Sequence, residues 1–303
     1  MRATLILTPI ILLIFGGSFA AKTMLGPPPT AAAPGPGQYE RIVSMAPSVT
    51  ETLFALGLGD RVVGVTQYCR YPAEAREKAR IGGYLNPNFE AIVALRPDLI
   101  VMLQDNGSTR PAFAKLGLPT LVVCHKSVDG ILESIAAIGR TCKAERKAGE
   151  ILGDVRSRMD RIRRKTQRLP PRRVLIAVDR TFTAGRLEDI FIVGNDGHLD
   201  RIMHLAGGQN ACRQTAARFP VVSREGILRI DPEVIIDIVP ESTAASLGNE
   251  AILADWQQVA EVEAVRNARV YLVADDRASL PGPSFIRTAE RFARLIHPEA
   301  DWR

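Results

Sequence analysis

The chain has 303 residues, with 39 Lys and Arg against 33 Asp and Glu, a net charge of +6 and 46% hydrophobic residues. This length predicts two lobes with cores of their own. A charged fraction of 24%, with 24 Gly and 20 Pro, excludes a collagen-like or wholly disordered chain. Beyond the N-terminus no apolar run approaches the ~20 residues of a membrane-spanning helix, which excludes a membrane bundle.

The first 38 residues predict an export signal followed by a tether. Residues 1–20 combine the positive charge of Arg2, an apolar run, and Ser18 and Ala20 as small residues before a cut at Ala21. Residues 21–38 are rich in Pro, Gly and Ala, as in a semi-rigid linker. We therefore expect a periplasmic protein, with an uncleaved N-terminal anchor as the open alternative.

Cysteine and histidine spacing predicts no resident metal or cofactor. An oxidising compartment allows three full pairings of the four cysteines, and the sequence does not choose among them. There is no CxxC, and the four histidines form no HxH or HExxH motif. The four cysteines are Cys69, Cys124, Cys142 and Cys212.

Residues 39–142 are predicted to form a first α/β lobe, because short apolar strands alternate with helical patterns. The predicted strands are 42–45, 62–65, 99–103 and 120–123, and the predicted helices are 51–56, 89–95, 112–116 and 128–139.

Residues 143–169 predict one long bridging helix. The segment has no Pro before residue 170, and its apolar residues recur at spacings of three and four. The opposite face is basic, which in an exported protein favours a solvated helix face over nucleic-acid binding. We expect no nucleic-acid partner.

Residues 170–303 resume the alternation and predict a second α/β lobe, with strands at 173–178, 234–238 and 270–273 and helices at 198–206 and 286–296. The residues 95–101 (LRPDLIV) are echoed by 230–236 (IDPEVII), as two similar lobes would require. The predicted fold is therefore α/β, with two parallel-sheet lobes covered by helices on both faces, one bridging helix and a ligand cleft between the lobes.

Catalytic signatures are missing from the sequence, since it contains no GxSxG, GxxxxGK[ST] or GxGxxG. Two acidic motifs remain. Ser48 and Glu51 have the spacing of a capping box, and Ser223 with Glu225 can cap a second helix.

The ordered motifs resemble those of the single-helix-bridged solute-binding proteins of ABC importers, the group that captures vitamin B12, haem and ferric siderophores. The resemblance covers residues 41–299 and includes RIVSMAPSVTE at 41–51, VVGV at 62–65 and LRPDLI at 95–100. It implies a binding protein, not an enzyme, that delivers a metal chelate to a permease and its ATPase, with a corrinoid such as cobalamin preferred. A haem or ferric-siderophore ligand is the alternative.

The resemblance also implies a set of functional residues. In this family one Glu on each lobe meets arginines of the permease, and the matching residues are identified as Glu51 and Glu225. Ser48, Tyr68 and Tyr84 match positions in the cleft of B12-binding members, and residues 182–185 resemble their cleft turn.

The resemblance assigns Phe182 and Gly185 of that turn to the ligand site. Arg186 and Arg277 would recognise an anionic siderophore, whereas a haem would take Tyr68 or Tyr71 as its axial ligand. A more remote alternative is an enzyme similar to tetrapyrrole metal chelatases, in which His125 would accept a proton.

Overall fold

The computed structural model describes residues 39–183, 186–212 and 217–302. The predicted export signal and tether lie outside the described residues, as does Gly185. Within the part of the chain that is described, no helix is long and apolar enough to cross a membrane.

The first lobe contains a five-stranded parallel sheet in the order β3-β2-β1-β4-β5. Its strands are β1 (Ile42–Ser44), β2 (Val62–Val65), β3 (Ala79–Arg80), β4 (Leu99–Leu103) and β5 (Thr120–Val123). Its helices are α1 (Pro47–Ala55), α2 (Phe89–Ala94), α3 (Arg110–Lys115) and α4 (Val128–Thr141).

Side chains of the central strands alternate between the two faces of this sheet. Ile42 and Val101 join the core beneath α1 and α4, whereas Val43 and Ile100 pack with Phe113 of α3 on the other face. Because successive side chains of a strand point to opposite faces, a run that is apolar throughout requires cover on both. The prediction of helices on both faces is confirmed.

The second lobe contains a six-stranded sheet in the order β11-β10-β6-β7-β9, with β8 beside the start of β6. Its strands are β6 (Arg172–Thr183), β7 (Arg186–Ile192), β8 (Gly208–Asn210), β9 (Val221–Val222), β10 (Val234–Val239) and β11 (Val270–Ala274). Its helices are α6 (His198–Leu205), α7 (Arg224–Ile230), α8 (Glu241–Leu247), α9 (Asn249–Ala254), α10 (Glu263–Arg266) and α11 (Phe285–Ile296).

This second sheet is mixed, whereas the sequence predicted a parallel one. Strand β6 runs five residues beyond its predicted end at Val178 and pairs antiparallel with β7. A two-residue connection can join only antiparallel neighbours, because a parallel partner needs a crossover of a dozen or more residues.

The bridging helix α5 (Glu145–Thr166) lies within the predicted segment 143–169. Its apolar stripe is buried at Ala148, Leu152, Val155, Met159 and Ile162 and joins one core cluster with residues from both sheets. Helix α11 packs against it. The prediction of a single helix with one packed stripe is confirmed.

None of the three disulfide pairings is formed, since Cys69, Cys124, Cys142 and Cys212 are all without a disulfide. The Cys69 thiol is buried and accepts a hydrogen bond from Thr50 Oγ1 at 3.1 Å.

Candidate functional site

Two adjoining cavities lie between the lobes and share Val178 and Ser279 in their walls. Their volumes are about 360 Å³ and about 250 Å³. The residues of the larger include Tyr84, Leu103, Asp105, His125, Lys126, His198, Arg218 and Phe219. The residues of the smaller include Pro47, Tyr68, Tyr71, Ile238, Asp275, Asp276 and Arg277.

Parallel strand direction explains why these residues converge. Most of them follow the carboxyl ends of β1, β2, β4 and β5 in the first lobe and of β10 and β11 in the second. In open α/β sheets the ligand binds at that edge. The predicted interlobe cleft therefore has a physical counterpart in these two cavities.

His125 follows β5 and forms a buried contact with the first helix of the same lobe. Its Nδ1 lies 2.8 Å from Ser48 Oγ, and the two residues are 6% and 2% exposed. Its Nε2 is buried and makes no hydrogen bond with any described residue. Burial, with a smaller contribution from the charge of His198, lowers the pKa of His125 to about 4, so the ring is neutral at pH 7.

His198 reaches the same cavity from the second lobe. It begins helix α6, and its Nε2 donates a hydrogen bond to the Ser279 carbonyl oxygen at 2.8 Å, because a carbonyl only accepts. Burial lowers the pKa of His198 to about 4. Two neutral imidazoles therefore line the cavity from opposite lobes.

The sequence predictions included His125 only as the proton acceptor of an alternative enzyme and left His198 out. His125 directly follows β5, and His198 is the first residue of α6. A position at the end of a strand or the start of a helix can be predicted from the sequence, so the sequence could have marked both residues. The side chains that join them in the cavity, Arg218, Phe219 and Ser279, lie in loops without a periodic pattern and gave no such signal.

Three other predicted ligand residues line the cavities. Tyr84 lines the larger and Tyr68, which is 57% exposed, the smaller. Arg277 also lines the smaller cavity, where its guanidinium lies 5.1 Å from the centre of the Tyr71 ring and donates to Asp275 Oδ1 at 3.1 Å. One wall of the cleft is therefore aromatic and partly cationic.

Ser48 does not border either cavity and reaches the site only through His125. Phe182 and Arg186 are also outside both linings. Phe182 instead stacks 4.5 Å from the Arg180 guanidinium, and the largely exposed Arg186 pairs with Glu188 at 3.7 Å. Neither residue therefore borders the two cavities. Phe182 packs against the apolar cluster of Val239, Ala244 and Ile252 at the end of β10, and the assignment of Phe182 and Arg186 to the ligand site stays a prediction.

The Arg180 side chain beneath Phe182 is fully buried and ion-paired. It contacts Asp237 Oδ2 at 3.3 Å and Asp255 Oδ2 at 2.8 Å, and Trp256 donates to Asp237 Oδ2 at 2.9 Å. Burial raises the pKa of Asp237, which outweighs the opposing charge of Arg180. This network fixes the base of the hairpin and of β10.

The expected capping box at Ser48 does not form. Helix α1 begins at Pro47, with Ala46 as the N-cap and no side-chain cap. Pro has no N–H to be capped and its fixed φ suits the first helical position, so the helix starts before Ser48. Ser48 Oγ is thereby released to contact His125.

Glu51 is buried between the lobes, so the expectation of an exposed permease contact at this residue is wrong. It is 4% exposed, and its Oε1 accepts the Ser284 N–H at 2.7 Å, at the start of α11 in the other lobe. Its Oε2 is buried and makes no hydrogen bond with any described residue. Burial raises the pKa of Glu51 against the opposing effects of Ser284 and nearby arginines.

Glu225 is exposed, as predicted, in the first turn of α7. Ser223 is the N-cap of this helix and accepts the Gly226 N–H at 3.3 Å, which confirms the predicted cap. The Ser223 side chain holds the pKa of Glu225 below its usual value.

Glu90 is the counterpart of Glu225 in the first lobe. Glu90 lies two residues after the N-cap Asn88, and Glu225 lies two residues after the N-cap Ser223. Each Glu also lies seven residues before the Pro of the repeated segments 95–101 and 230–236. The residue before this Pro is in the left-handed backbone region in both lobes, with φ of 46° at Arg96 and 44° at Asp231. Glu90 is exposed. The repeat therefore places one exposed carboxylate on each lobe, at Glu90 and Glu225, whereas the sequence interpretation had chosen Glu51 for the first lobe.

The chain is similar to known proteins over most of its length. The periplasmic binding protein family model matches residues 42–276. An uncharacterized ABC transporter substrate-binding lipoprotein of Bacillus subtilis, YvrC, is 28% identical over 269 residues, which cover 86% of this chain and 81% of that protein. The vitamin B12-binding protein of Yersinia pestis is 28% identical over 199 residues, which cover 65% of this chain and 69% of that protein.

A solved structure is also similar. The periplasmic vitamin B12 binding protein BtuF of Vibrio cholerae superimposes with a TM-score of 0.74 at 26% identity, covering 87% of this chain and 98% of that one. Together these findings define a substrate-binding protein of the two-lobed, helix-bridged type. The chain belongs to the periplasmic binding protein family of ABC importers and is a transport protein, not an enzyme.

Proposed function

We propose that this protein is exported, captures a metal chelate between its lobes and delivers it to an ABC permease and ATPase, with a corrinoid such as cobalamin as the preferred ligand. A haem or ferric siderophore is the alternative within the same family. The observation that carries the proposal is the interlobe cleft, in which Tyr68 and Tyr84 supply aromatic surface and two neutral imidazoles face each other.

The chemistry of the cleft suits a large ring system with polar substituents. Aromatic side chains stack on flat ligands and bury large apolar areas. The cavities, at about 360 and about 250 Å³, are at the small end of ligand sites, so we expect the lobes to separate when a macrocycle enters.

Ligand titration tests the proposal. Isothermal calorimetry with cobalamin, cobinamide, haemin and a ferric siderophore should show one-to-one binding in the micromolar range or tighter for at least one of them. Tyr84→Ala and Tyr68→Ala should each weaken that binding by roughly two- to twelvefold, since an aromatic contact contributes about 0.5–1.5 kcal/mol beyond its area. Phe191→Ala, an exposed aromatic outside both cavities, is the matched control. Binding of none of the four at 100 µM would refute the chelate class.

Glu90 and Glu225 are proposed as the two permease contacts. Helices α2 and α7 begin at the sheet edges that border the cleft, so both carboxylates flank its entrance. An exposed carboxylate offers Arg a bidentate, charge-assisted hydrogen bond. Two such contacts, one per lobe, would also fix the orientation of the docked protein.

Transport assays separate docking from ligand binding. In vesicles containing the cognate permease and ATPase, Glu90→Gln and Glu225→Gln should each weaken docking about 5- to 30-fold, because replacing a charged hydrogen bond by a neutral one removes ~1–2 kcal/mol. The double variant should lose more, with ligand affinity unchanged. Glu250→Gln, another exposed carboxylate, is the control. Normal transport by the double variant would exclude these two residues as the docking pair.

A further inference from the structure

The strongest unexplained feature of the cleft is the Nε2 atom of His125. It is buried, it makes no hydrogen bond with any described residue, and its side chain is part of the wall of the larger cavity. A buried polar atom left without a partner costs about 1–3 kcal/mol, and the few such atoms in folded proteins call for an explanation, such as local strain, a bound water or ion, or a functional role.

From this geometry we infer that His125 is an axial ligand of the metal in the captured chelate, with Ser48 as the residue that positions its ring. The inference rests on the proposed function and adds a ligand class to it: chelates of a transition metal that have an open or exchangeable axial position.

The contact with Ser48 prepares the ring for this role. When Nδ1–H donates to Ser48 Oγ across the 2.8 Å contact, the lone pair of Nε2 is left free. Metal-binding histidines characteristically hold their second nitrogen in this way, which fixes both tautomer and orientation. Ser48 is itself 2% exposed within α1, and His125 directly follows β5, so both are attached to rigid elements of one lobe.

The rest of the site argues for a chelate over a bare cation. Among the described residues there is no cluster of three or more His, Cys, Asp or Glu side chains able to hold a metal ion. A metal bound at His125 must therefore bring its other donors with it. Imidazole suits Fe, Co, Ni, Cu and Zn. His198, across the cavity, has its Nε2 committed to the Ser279 carbonyl oxygen, which leaves His125 as the imidazole with a free Nε2.

The inference predicts a preference among ligands. The metal of aquated cobinamide, aquacobalamin or ferric haem can accept an imidazole nitrogen. In dicyanocobinamide both axial positions of the cobalt are filled, and in a hexadentate ferric siderophore all six positions of the iron are filled. We expect tighter binding of the first group and, with haem or aquacobinamide, an absorption spectrum typical of a nitrogen ligand in the axial position.

Visible absorption and calorimetry on the same samples test this. His125→Ala should lose the nitrogen-ligand spectrum and bind aquacobinamide or haem at least tenfold more weakly, with dicyanocobinamide affinity unchanged. Added free imidazole should restore the spectrum in His125→Ala, which a purely structural role would not allow. Ser48→Ala should weaken binding about tenfold, the lower end of the 10- to 100-fold effects of such positioning residues. His204→Gln, a surface histidine outside the cleft, is the control.

Different results would overturn different conclusions. Binding of an open-position chelate by the unmodified protein without a nitrogen-ligand spectrum would refute the inference and leave the proposed function standing, and this outcome does not depend on any variant folding. Loss of the spectrum in His198→Gln but not in His125→Gln would assign the ligand to the other lobe and refute it as well. Failure of every chelate to bind would instead refute the proposed function.

Discussion

The contact between Glu51 and Gly282 joins the lobes so tightly that a single methyl group should disrupt it. A Cβ atom placed on Gly282 would lie 2.1 Å from Glu51 Oε2 and 2.8 Å from its Cδ. The backbone of Gly282 is not in the left-handed region, so Ala fits its conformation and the clash alone decides the outcome. Gly282→Ala must therefore displace the carboxylate.

The cost follows from what the displaced carboxylate loses. It would give up the 2.7 Å hydrogen bond from the Ser284 N–H, and a bond to a charged group contributes about 1.5–3 kcal/mol. Overpacking adds typically 1–3 kcal/mol. We expect Gly282→Ala to lower the free energy of unfolding by about 3–5 kcal/mol. Glu51→Ala should cost only about 1–2 kcal/mol, because the lost hydrogen bond is offset by removing a buried charge.

A double-mutant cycle isolates this contact. In Glu51→Ala/Gly282→Ala the new methyl group occupies the vacated space, so the double variant should be about as stable as Glu51→Ala alone. The coupling energy should then equal the whole cost of Gly282→Ala, ~3–5 kcal/mol by urea denaturation of the ligand-free protein. Gly153→Ala, in the middle of α5 with no atom within 4 Å of the added Cβ, is the control and should stabilise by up to about 1 kcal/mol. Additive losses at Glu51 and Gly282 would show that the contact does not exist in solution.

Two further predictions concern buried ionisable groups. Because the pKa values of His125 and His198 are lowered from 6.5 to about 4, the stability they confer is complete above pH 6.5 and is lost as the pH falls toward 4. Between pH 7 and 5 the loss should be ~2–4 kcal/mol for the pair. Glu51 and Asp237 have raised pKa values, so their contribution to the free energy of unfolding increases as the pH falls. To separate the two effects, denaturation of the wild type must be compared at pH 7 and pH 5 with that of the His125→Gln/His198→Gln variant. An equal pH-dependent loss in both proteins would contradict the assignment. Arg180→Met should lower the free energy of unfolding by about 3–5 kcal/mol, since it leaves buried carboxylates unpaired. Adding Asp237→Asn should recover part of that loss. A double variant less stable than Arg180→Met would contradict the ion pairing.

Much of the fold is determined by local sequence patterns. The largely apolar runs at 42–45 and 99–103 predicted buried parallel strands, which form at Ile42–Ser44 and Leu99–Leu103, and the stripe from Ala148 to Ile162 predicted one long helix. Ser223 correctly predicted the start of α7. Such features are readable because strand alternation, helical periodicity and end-capping each depend on residues within one or two turns of each other.

Tertiary structure alone decided the details of the site. Ser48 and His125 are 77 residues apart, and Glu51 meets Ser284 across 233 residues, so no local pattern distinguishes a cap, a surface carboxylate or a buried contact between lobes. The extension of β6 into a hairpin likewise depended on pairing with β7. The sequence therefore determined which elements form, whereas the burial, pKa and partner of each polar side chain were decided by how those elements pack, because desolvation and long-range contacts arise only in the assembled chain.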